Sequence, residues 1–207
     1  MLITFEGIEG CGKTTQCELL YQHLSRTGQR VIKTREPGGT VLGEAVREVL
    51  LQKDLRVFPL SELLLVMAVR AQHMEEVISP ALSEGKIVVC DRFVDATYAY
   101  QGYGRSIDLG IIETLNRLVT KGVRPILTIL LDCDVETALK RKKAASPIMD
   151  RFEQEDISFH TRIRNGYLEL ARDDGKRFLI VDGNLDRSEA HRIIREKVES
   201  LLRNHGI

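Results

Sequence analysis

The sequence predicts an α/β fold, a doubly wound, five-stranded parallel sheet flanked by helices, and three observations carry that reading. Leu2 to Phe5, Arg30 to Thr34, Ile87 to Cys90, Ile126 to Leu131 and Phe178 to Val181 are short, almost continuously apolar runs, as strands buried on both faces are. The stretches between them are amphipathic and long enough to act as helical crossovers between parallel strands. Finally, Gly7 to Thr14 reads Gly-Ile-Glu-Gly-Cys-Gly-Lys-Thr, the phosphate-binding pattern GxxxxGK[ST], set directly between the first run and the first helical stretch.

Each element follows from local signals. Behind the glycine-rich loop, Lys13 to Thr27 carries Cys17, Leu20, Tyr21 and Leu24 at helical spacing and closes at Gly28. The second strand runs into Thr34-Arg35-Glu36-Pro37-Gly38-Gly39-Thr40, a loop that combines a cation with free backbone amides, and Arg47 lies in the helix beyond it. Pro59 to Ser83 is long and apolar on more than one side, which predicts a central helix packed beneath other elements. The third strand ends in Asp91-Arg92. Asp108 is placed to cap a helix that Gly122 and Pro125 end, Asp134 to cap the next, and Ser188 the last. Asp91-Arg92-Phe93 recurs as Asp150-Arg151-Phe152, but the flanks share nothing and no internal repeat is inferred.

Composition narrows the classes. A chain of 207 residues, 43% apolar and 29% charged, is expected to form one domain over residues 1–207. Thirty basic and thirty acidic residues cancel, so no whole-chain field recruits nucleic acid or a membrane surface. No run reaches the length of a membrane span, and Met1 leads into a strand, so a cytoplasmic protein is expected. Cys11, Cys17, Cys90 and Cys133 form no CxxC pair and the five histidines are scattered, which predicts reduced thiols and no zinc site. Cys11, at a helix N-terminus beside Lys13, has two readings, a small residue that fits the loop or a thiol of lowered pKa.

The residues that follow the strands carry the chemistry, because ligands of open α/β sheets gather at the carboxyl ends of the strands. In a loop of this pattern the backbone amides turn inward, Lys13 reaches the β- and γ-phosphates, and the Thr14 hydroxyl is placed to ligate Mg²⁺. Asp91 ends its strand where such proteins hold the carboxylate for Mg²⁺, and Arg92 beside it is a clamp across two phosphates. As a strand-end arginine, Arg92 is expected to offer little packing, so its loss should cost turnover far more than stability. Arg35 and Arg47 supply a second anion site. Lys140, Arg141, Lys142, Lys143 and Arg151 form a basic helix end and loop, a lid at about 142–152 that delivers charge and excludes water.

Two anion sites on one sheet indicate phosphoryl transfer from a nucleoside triphosphate to a second phosphorylated molecule. No general base is evident, and none is needed, since a phosphate monoester with a second pKa of about 6 is already ionised near neutrality. A sugar hydroxyl would want a base. The sequence therefore leans to the P-loop NTPase / nucleoside monophosphate kinase fold and its chemistry of positioning and charge neutralisation. The alternatives are a related kinase acting on another monophosphate or a deoxynucleoside, and a nucleotide-switch GTPase or ATPase module. The second lacks an NKxD motif and has no use for the second anion site.

Gly-Ile-Glu-Gly-Cys-Gly-Lys-Thr-Thr-Gln, Thr-Arg-Glu-Pro-Gly-Gly-Thr, Arg70-Ala71-Gln72-His73, and Asp91-Arg92-Phe93 followed by Ala99-Tyr100-Gln101-Gly102 together resemble the thymidylate kinase family over nearly the whole chain. The resemblance implies phosphorylation of dTMP to dTDP by ATP with Mg²⁺, and a homodimer. It implies that Gly7, Ile8, Glu9, Gly10, Cys11, Gly12, Lys13, Thr14 and Thr15 hold ATP, with Thr14 and Asp91 at the metal and Arg141 against the adenine. Arg35, Arg47 and Arg92 would surround the acceptor phosphate, with Glu9 as an acid near the acceptor and Glu36 among the substrate-binding residues. Arg70 would bond the thymine edge, Thr97 would lie beside it, and Tyr100 and Gln101 would line the sugar and base pocket. Lys13, Arg92 and Glu9 are the implied catalytic residues in the body of the fold. Two subtypes of the family place a further catalytic arginine in the P-loop or in the lid. Here the P-loop position is Gly10, which implies the bacterial type, with Arg151 or Lys143 as the lid's donor. Val66 stands where an aromatic residue usually stacks on thymine, which implies either weaker stacking, with relaxed affinity or selectivity for thymine, or its replacement by Met67 or Tyr98.

Overall fold

The computed structural model describes residues 1–145 and 149–205. Its strands are β1 (Leu2–Glu6), β2 (Val31–Arg35), β3 (Ile87–Asp91), β4 (Leu127–Asp132) and β5 (Phe178–Asp182), each within one residue of the bounds expected from the apolar runs. They form a single sheet in the order β2-β3-β1-β4-β5, and every pair is parallel.

Alternation along the strands serves two layers. Ile3, Phe5, Val89 and Ile129 face a core with Leu20 and Leu24 of α1 (Lys13–Arg26), Ile163 and Tyr167 of α8 (Ile157–Asp173), and Ile194 and Val198 of α9 (Arg187–Asn204). Leu2, Val88 and Cys90 face the other way, onto Met74, Ile78 and Ala81. Both faces of the central strands are thus covered, which is why their sequences are apolar without a polar stripe.

The remaining helices are α2 (Val41–Leu51), α3 (Pro59–His73), α4 (Ser79–Ser83), α5 (Val94–Thr97), α6 (Leu109–Thr120) and α7 (Val135–Ala145). Two π-helical turns, Met74–Ile78 and Tyr98–Gly104, follow α3 and α5. Asp108 caps α6 by accepting from the Ile111 amide at 3.1 Å, and Asp134 accepts from the Thr137 amide at 2.9 Å. The last helix differs from expectation. Its cap is Asp186, which accepts from the Ser188 amide at 2.8 Å, so Ser188 lies inside the first turn.

The 59–83 rod also differs from a fully covered central helix. Leu63, Met67 and Met74 are buried, but Leu60 and Leu64 are more than half exposed. α3 packs between α2 and α6, and exposed apolar side chains continue onto both, with Val41 and Leu42 on one and Ile111 and Leu118 on the other. Apolarity on more than one side of the rod therefore reflects one face on the core and a second left uncovered. Of the expected lid at about 142–152, residues 146–148 lie outside the described residues. Among the described residues no helix is long and apolar enough to cross a membrane.

Candidate active site

Because β2, β3 and β1 are neighbours, the three loops that leave their carboxyl ends meet around one cavity of about 530 Å³. Glu9 to Thr15, Arg35 to Pro37 and Asp91-Arg92 contribute to its wall, and α7 closes it from the lid side through Arg141, Lys142 and Ala145.

The glycine-rich loop presents backbone donors. Gly12, at φ 98°, starts α1, and no side chain caps that helix. A β-carbon built on Gly12 would meet nothing within 4 Å. The first amides of α1 are therefore free for an anion, which the helix dipole favours there. Lys13 is buried, donating from Nζ to the Ile8 carbonyl at 2.6 Å and towards Cys11 Sγ at 3.6 Å. The Thr14 hydroxyl donates to Asp91 Oδ2 at 2.6 Å. One hydroxyl and one carboxylate from two strand ends form an oxygen-only donor pair, which fits a hard divalent ion that takes its other ligands from phosphate and water. Gly7, Ile8 and Cys11 stand behind the wall rather than on it. Cys11 is only 2% exposed and packs in the main core, so it serves the loop as a small buried residue.

Gly10 has a stricter reason to be glycine. Its φ is 76°, and a β-carbon would fall 2.0 Å from the Ala138 carbonyl oxygen of α7. An arginine has no room at this position while α7 lies over it.

Arg35, Arg47 and Arg92 line the cavity. Arg35 pairs with Glu44 at 2.7 Å, and Arg47 donates to the Pro37 carbonyl at 2.8 Å. Burial together with the nearby Arg35 and Arg92 lowers the pKa of Arg47, although Glu44 opposes this. Arg92 is not the loosely held strand-end side chain that its position suggested. Its φ is 72°, and its guanidinium donates to the Gly7 carbonyl (2.8 Å), Tyr167 Oη (3.0 Å), Glu9 Oε1 (3.0 Å) and Tyr100 Oη (2.9 Å). Burial works against its charge, but Tyr100, Tyr167, Glu9 and Glu6 around it hold the proton more tightly than usual.

Glu9 is half-buried on the wall, and although desolvation works against its charge, Arg92 and Lys13 hold its carboxyl below the ordinary range. Its Oε1 accepts from the Tyr100 hydroxyl. Its Oε2 has no partner among the described residues, and His160 Nδ1 stands 3.8 Å away.

Arg70 is fully buried and donates to Glu36 Oε2 (2.7 Å), Thr97 Oγ1 (2.9 Å), Asn116 Oδ1 (2.6 Å) and the Phe93 carbonyl (2.9 Å). Glu36 is shared with His73 at 2.9 Å, and despite burial the charge of Arg70 and the hydrogen bond with His73 keep its carboxyl below the ordinary range. Arg70, Thr97, Tyr100, Gln101 and Val66 all lie on the cavity wall. Met67 and Tyr98 do not. Met67 packs with Leu63 and Ile112, with Tyr98 against the same cluster, so neither takes the place of a stacking residue.

On the lid side, Arg141 donates to the Gly183 carbonyl at 2.6 Å and lies on the wall. Arg151 is turned to Leu50 O (3.0 Å) and Glu62 Oε2 (2.7 Å), and Lys143 is exposed on α7; neither lines the cavity in this conformation.

Sequence reasoning missed Glu62, which accepts from Gln101 (2.7 Å) and Arg151, and the carboxylate Glu6. Glu6 accepts from the Phe93 amide (2.8 Å) and the Tyr167 hydroxyl (2.7 Å). Burial, with Asp95 nearby, pushes Glu6 up to about 8 against the pull of Arg92. Its only signal in the sequence was a carboxylate at the end of an apolar strand.

Comparison with known proteins agrees with this geometry. The family model for thymidylate kinase matches residues 5–194. The thymidylate kinase of Geotalea uraniireducens is 52% identical over 206 residues, covering 97% of each chain. That of Geotalea daltonii is 55% identical over 194 residues, 90% of this chain and 91% of its own. The crystal structure of thymidylate kinase from Ehrlichia chaffeensis superposes with a TM-score of 0.79 at 39% identity, covering 96% of this chain and 98% of that one.

Proposed function

The chain belongs to the thymidylate kinase family, whose enzymes phosphorylate dTMP to dTDP with ATP, and we propose that it performs this transfer in the cavity at the carboxyl ends of β1, β2 and β3. The observation that carries the reading is the convergence of Arg35, Arg47 and Arg92 on one wall, opposite uncapped amides and the buried Lys13. Like charges gathered on one wall repel, and an anion bound between them relieves that repulsion. Two anion sites in one cavity match two phosphorylated substrates.

In this reading the amides from Gly10 to Thr15 and Lys13 hold the triphosphate of ATP, and Arg141 lies against its adenine. Arg35, Arg47 and Arg92 hold the dTMP phosphate, an oxygen of which attacks the γ-phosphorus as the bond to the departing ADP breaks. No proton needs to be removed, because the acceptor phosphate is already ionised. Catalysis is then alignment and neutralisation of charge on the transferring group. Thr14 and Asp91 would hold Mg²⁺, which supplies charge neutralisation at the phosphates. Glu9 lies at the acceptor, while Arg70, Thr97, Tyr100 and Gln101 enclose the nucleoside, with Val66 and Glu36 beside them. Arg151 or Lys143 supplies the lid's charge, and either must leave its present position to do so.

The whole chain, 1–207, then acts as one cytoplasmic kinase domain with its lid at about 142–152. It pairs as a homodimer through the exposed apolar side chains of α2, α3 and α6. Both sedimentation and phosphoryl-transfer assays test these statements. ADP release should depend on dTMP in preference to dUMP, dCMP, dGMP and thymidine, and negligible turnover of dTMP would refute the assignment. Arg151→Ala and Lys143→Ala, compared singly, identify the lid donor by the larger fall in kcat.

A further inference from the structure

Arg92 is held in an uncommon conformation, and one buried carboxylate grips it from two directions. Residues other than glycine seldom adopt a positive φ, and Arg92 does so at 72°. The next amide, that of Phe93, donates to Glu6 Oε1 at 2.8 Å, which fixes the main chain just past the kink. The other oxygen, Glu6 Oε2, accepts from the Tyr167 hydroxyl at 2.7 Å. That same phenol oxygen accepts from Arg92 Nη1 at 3.0 Å. Glu6 is the last residue of β1, is 0% exposed, and does not line the cavity, so it touches no substrate.

We propose that Glu6 is a positioning residue for phosphoryl transfer: through the Phe93 amide and the Tyr167 hydroxyl it sets the backbone kink and the guanidinium plane of Arg92. This rests on the reading that Arg92 clamps the reacting phosphates. The hydrogen-bond directions make the device specific for a carboxylate. In its ionised form both oxygens of Glu6 accept, so the tyrosine hydrogen is committed to Glu6 and its oxygen is left for Arg92; the kinetic comparisons are therefore made above the value of about 8 to which burial pushes this carboxyl. A glutamine cannot reproduce this. With its carbonyl towards the Phe93 amide, its NH₂ faces the tyrosine oxygen and competes with Arg92; turned around, its NH₂ opposes the Phe93 amide.

The test uses the full-length enzyme with Glu6→Gln, Tyr167→Phe, the double variant and Arg92→Ala. Glu6→Gln is expected to lower kcat at least tenfold while the KM for ATP stays within twofold, since the nucleotide loop is untouched. Tyr167→Phe should lower kcat in the same manner, and the double variant should be no slower than the slower single one, because both act on one link. Tyr167→Phe keeps the ring in the core and carries the test if Glu6→Gln does not fold. The inference is overturned if Arg92→Ala abolishes turnover while Glu6→Gln keeps kcat within twofold, or if the two single losses multiply. Near-normal turnover by Arg92→Ala would overturn the underlying assignment of Arg92 and the inference with it.

Discussion

Replacing Gly10 by alanine should destabilise the protein more than the same change at Gly12, and the difference measures how closely the lid helix lies on the phosphate loop. Both glycines have positive φ, 76° and 98°, and a left-handed backbone costs an L-residue about 1–2 kcal/mol. Only Gly10 adds a collision. Its new β-carbon would sit 2.0 Å from the Ala138 carbonyl oxygen and 2.8 Å from the carbonyl carbon, whereas at Gly12 it would meet nothing within 4 Å. Contact between non-bonded atoms is comfortable only from about 3.5 Å, so α7 must retreat by more than an ångström. That retreat is opposed by the buried Ala138, by the Lys142–Glu153 ion pair at 2.9 Å, and by the hydrogen bond from Arg141 to Gly183 at 2.6 Å. Overpacking of this kind costs about 1–3 kcal/mol beyond the backbone term. At roughly 2–4 °C per kcal/mol for a chain of this size, thermal unfolding without nucleotide should fall by about 2–8 °C for Gly12→Ala. For Gly10→Ala it should fall by a further ~2–12 °C. Equal melting temperatures for the two variants would refute the close seating of α7, and with it the steric reason for glycine at position 10.

Other outcomes follow from the buried charges and the open wall. Arg92→Ala should lose about 3–5 kcal/mol in denaturant unfolding as well as turnover, because Glu9 is left without its cation and the Gly7 carbonyl and the Tyr100 and Tyr167 oxygens without their donor; a loss below 1 kcal/mol would return Arg92 to the status of a loose strand-end side chain. Glu6 is held protonated up to about 8, against 4.5 as the ordinary value, so the folded state binds a proton that the unfolded state releases between those values. Stability therefore drops as pH rises through that window, by about 1.4 kcal/mol per unit from this group. Glu6→Gln should become steadily more stable relative to the parent between pH 5 and pH 8, in a comparison that cancels Arg92, Asp95 and Tyr167, the charged and titratable groups around it. A constant difference would show that Glu6 does not titrate there. Val66→Phe adds an aromatic face to the wall where Val66 lies, and stacking of about 1 kcal/mol or more on the base should lower the KM for dTMP several-fold; an unchanged KM would mean that the base does not lie against this residue.

The central strands β1, β3 and β4 were legible to within a residue because a strand buried on both faces leaves a run that little else produces, and the phosphate loop because its spacing is dictated by backbone geometry. Caps were legible at Asp108 and Asp134, although Ser106 and Asp132 stand two residues before them. At the last helix, Asp186 and Ser188 both carry capping chemistry two residues apart, and only the backbone chooses between them. The uncovered side of the 59–83 rod was hidden for a different reason. Apolar residues destined for a core and those destined for a second chain obey the same periodicity, so the pattern reports how much of the helix avoids water without saying what covers it.

The polar part of the site is least legible because its determinants are distances between residues far apart in the chain. Glu6 and Tyr167 are separated by 161 positions and Glu62 and Arg151 by 89, so nothing in a local window links them. Such pairs are nevertheless forced once the site exists. A cavity that must receive two phosphates needs arginines on its wall, and an arginine held rigidly enough to aim has to be hydrogen-bonded from behind. Behind the wall lies the core, where carboxylates persist only when their oxygens are matched by donors. Arg92, legible in the sequence, therefore implies a buried acid that the sequence does not announce. Glu6 meets that requirement from the end of the first strand. The same logic makes Arg151 the informative residue of the lid. Its present partner, Glu62, also accepts from Gln101 on the cavity wall, so this arginine too is held by a carboxylate whose other oxygen is already matched by a donor.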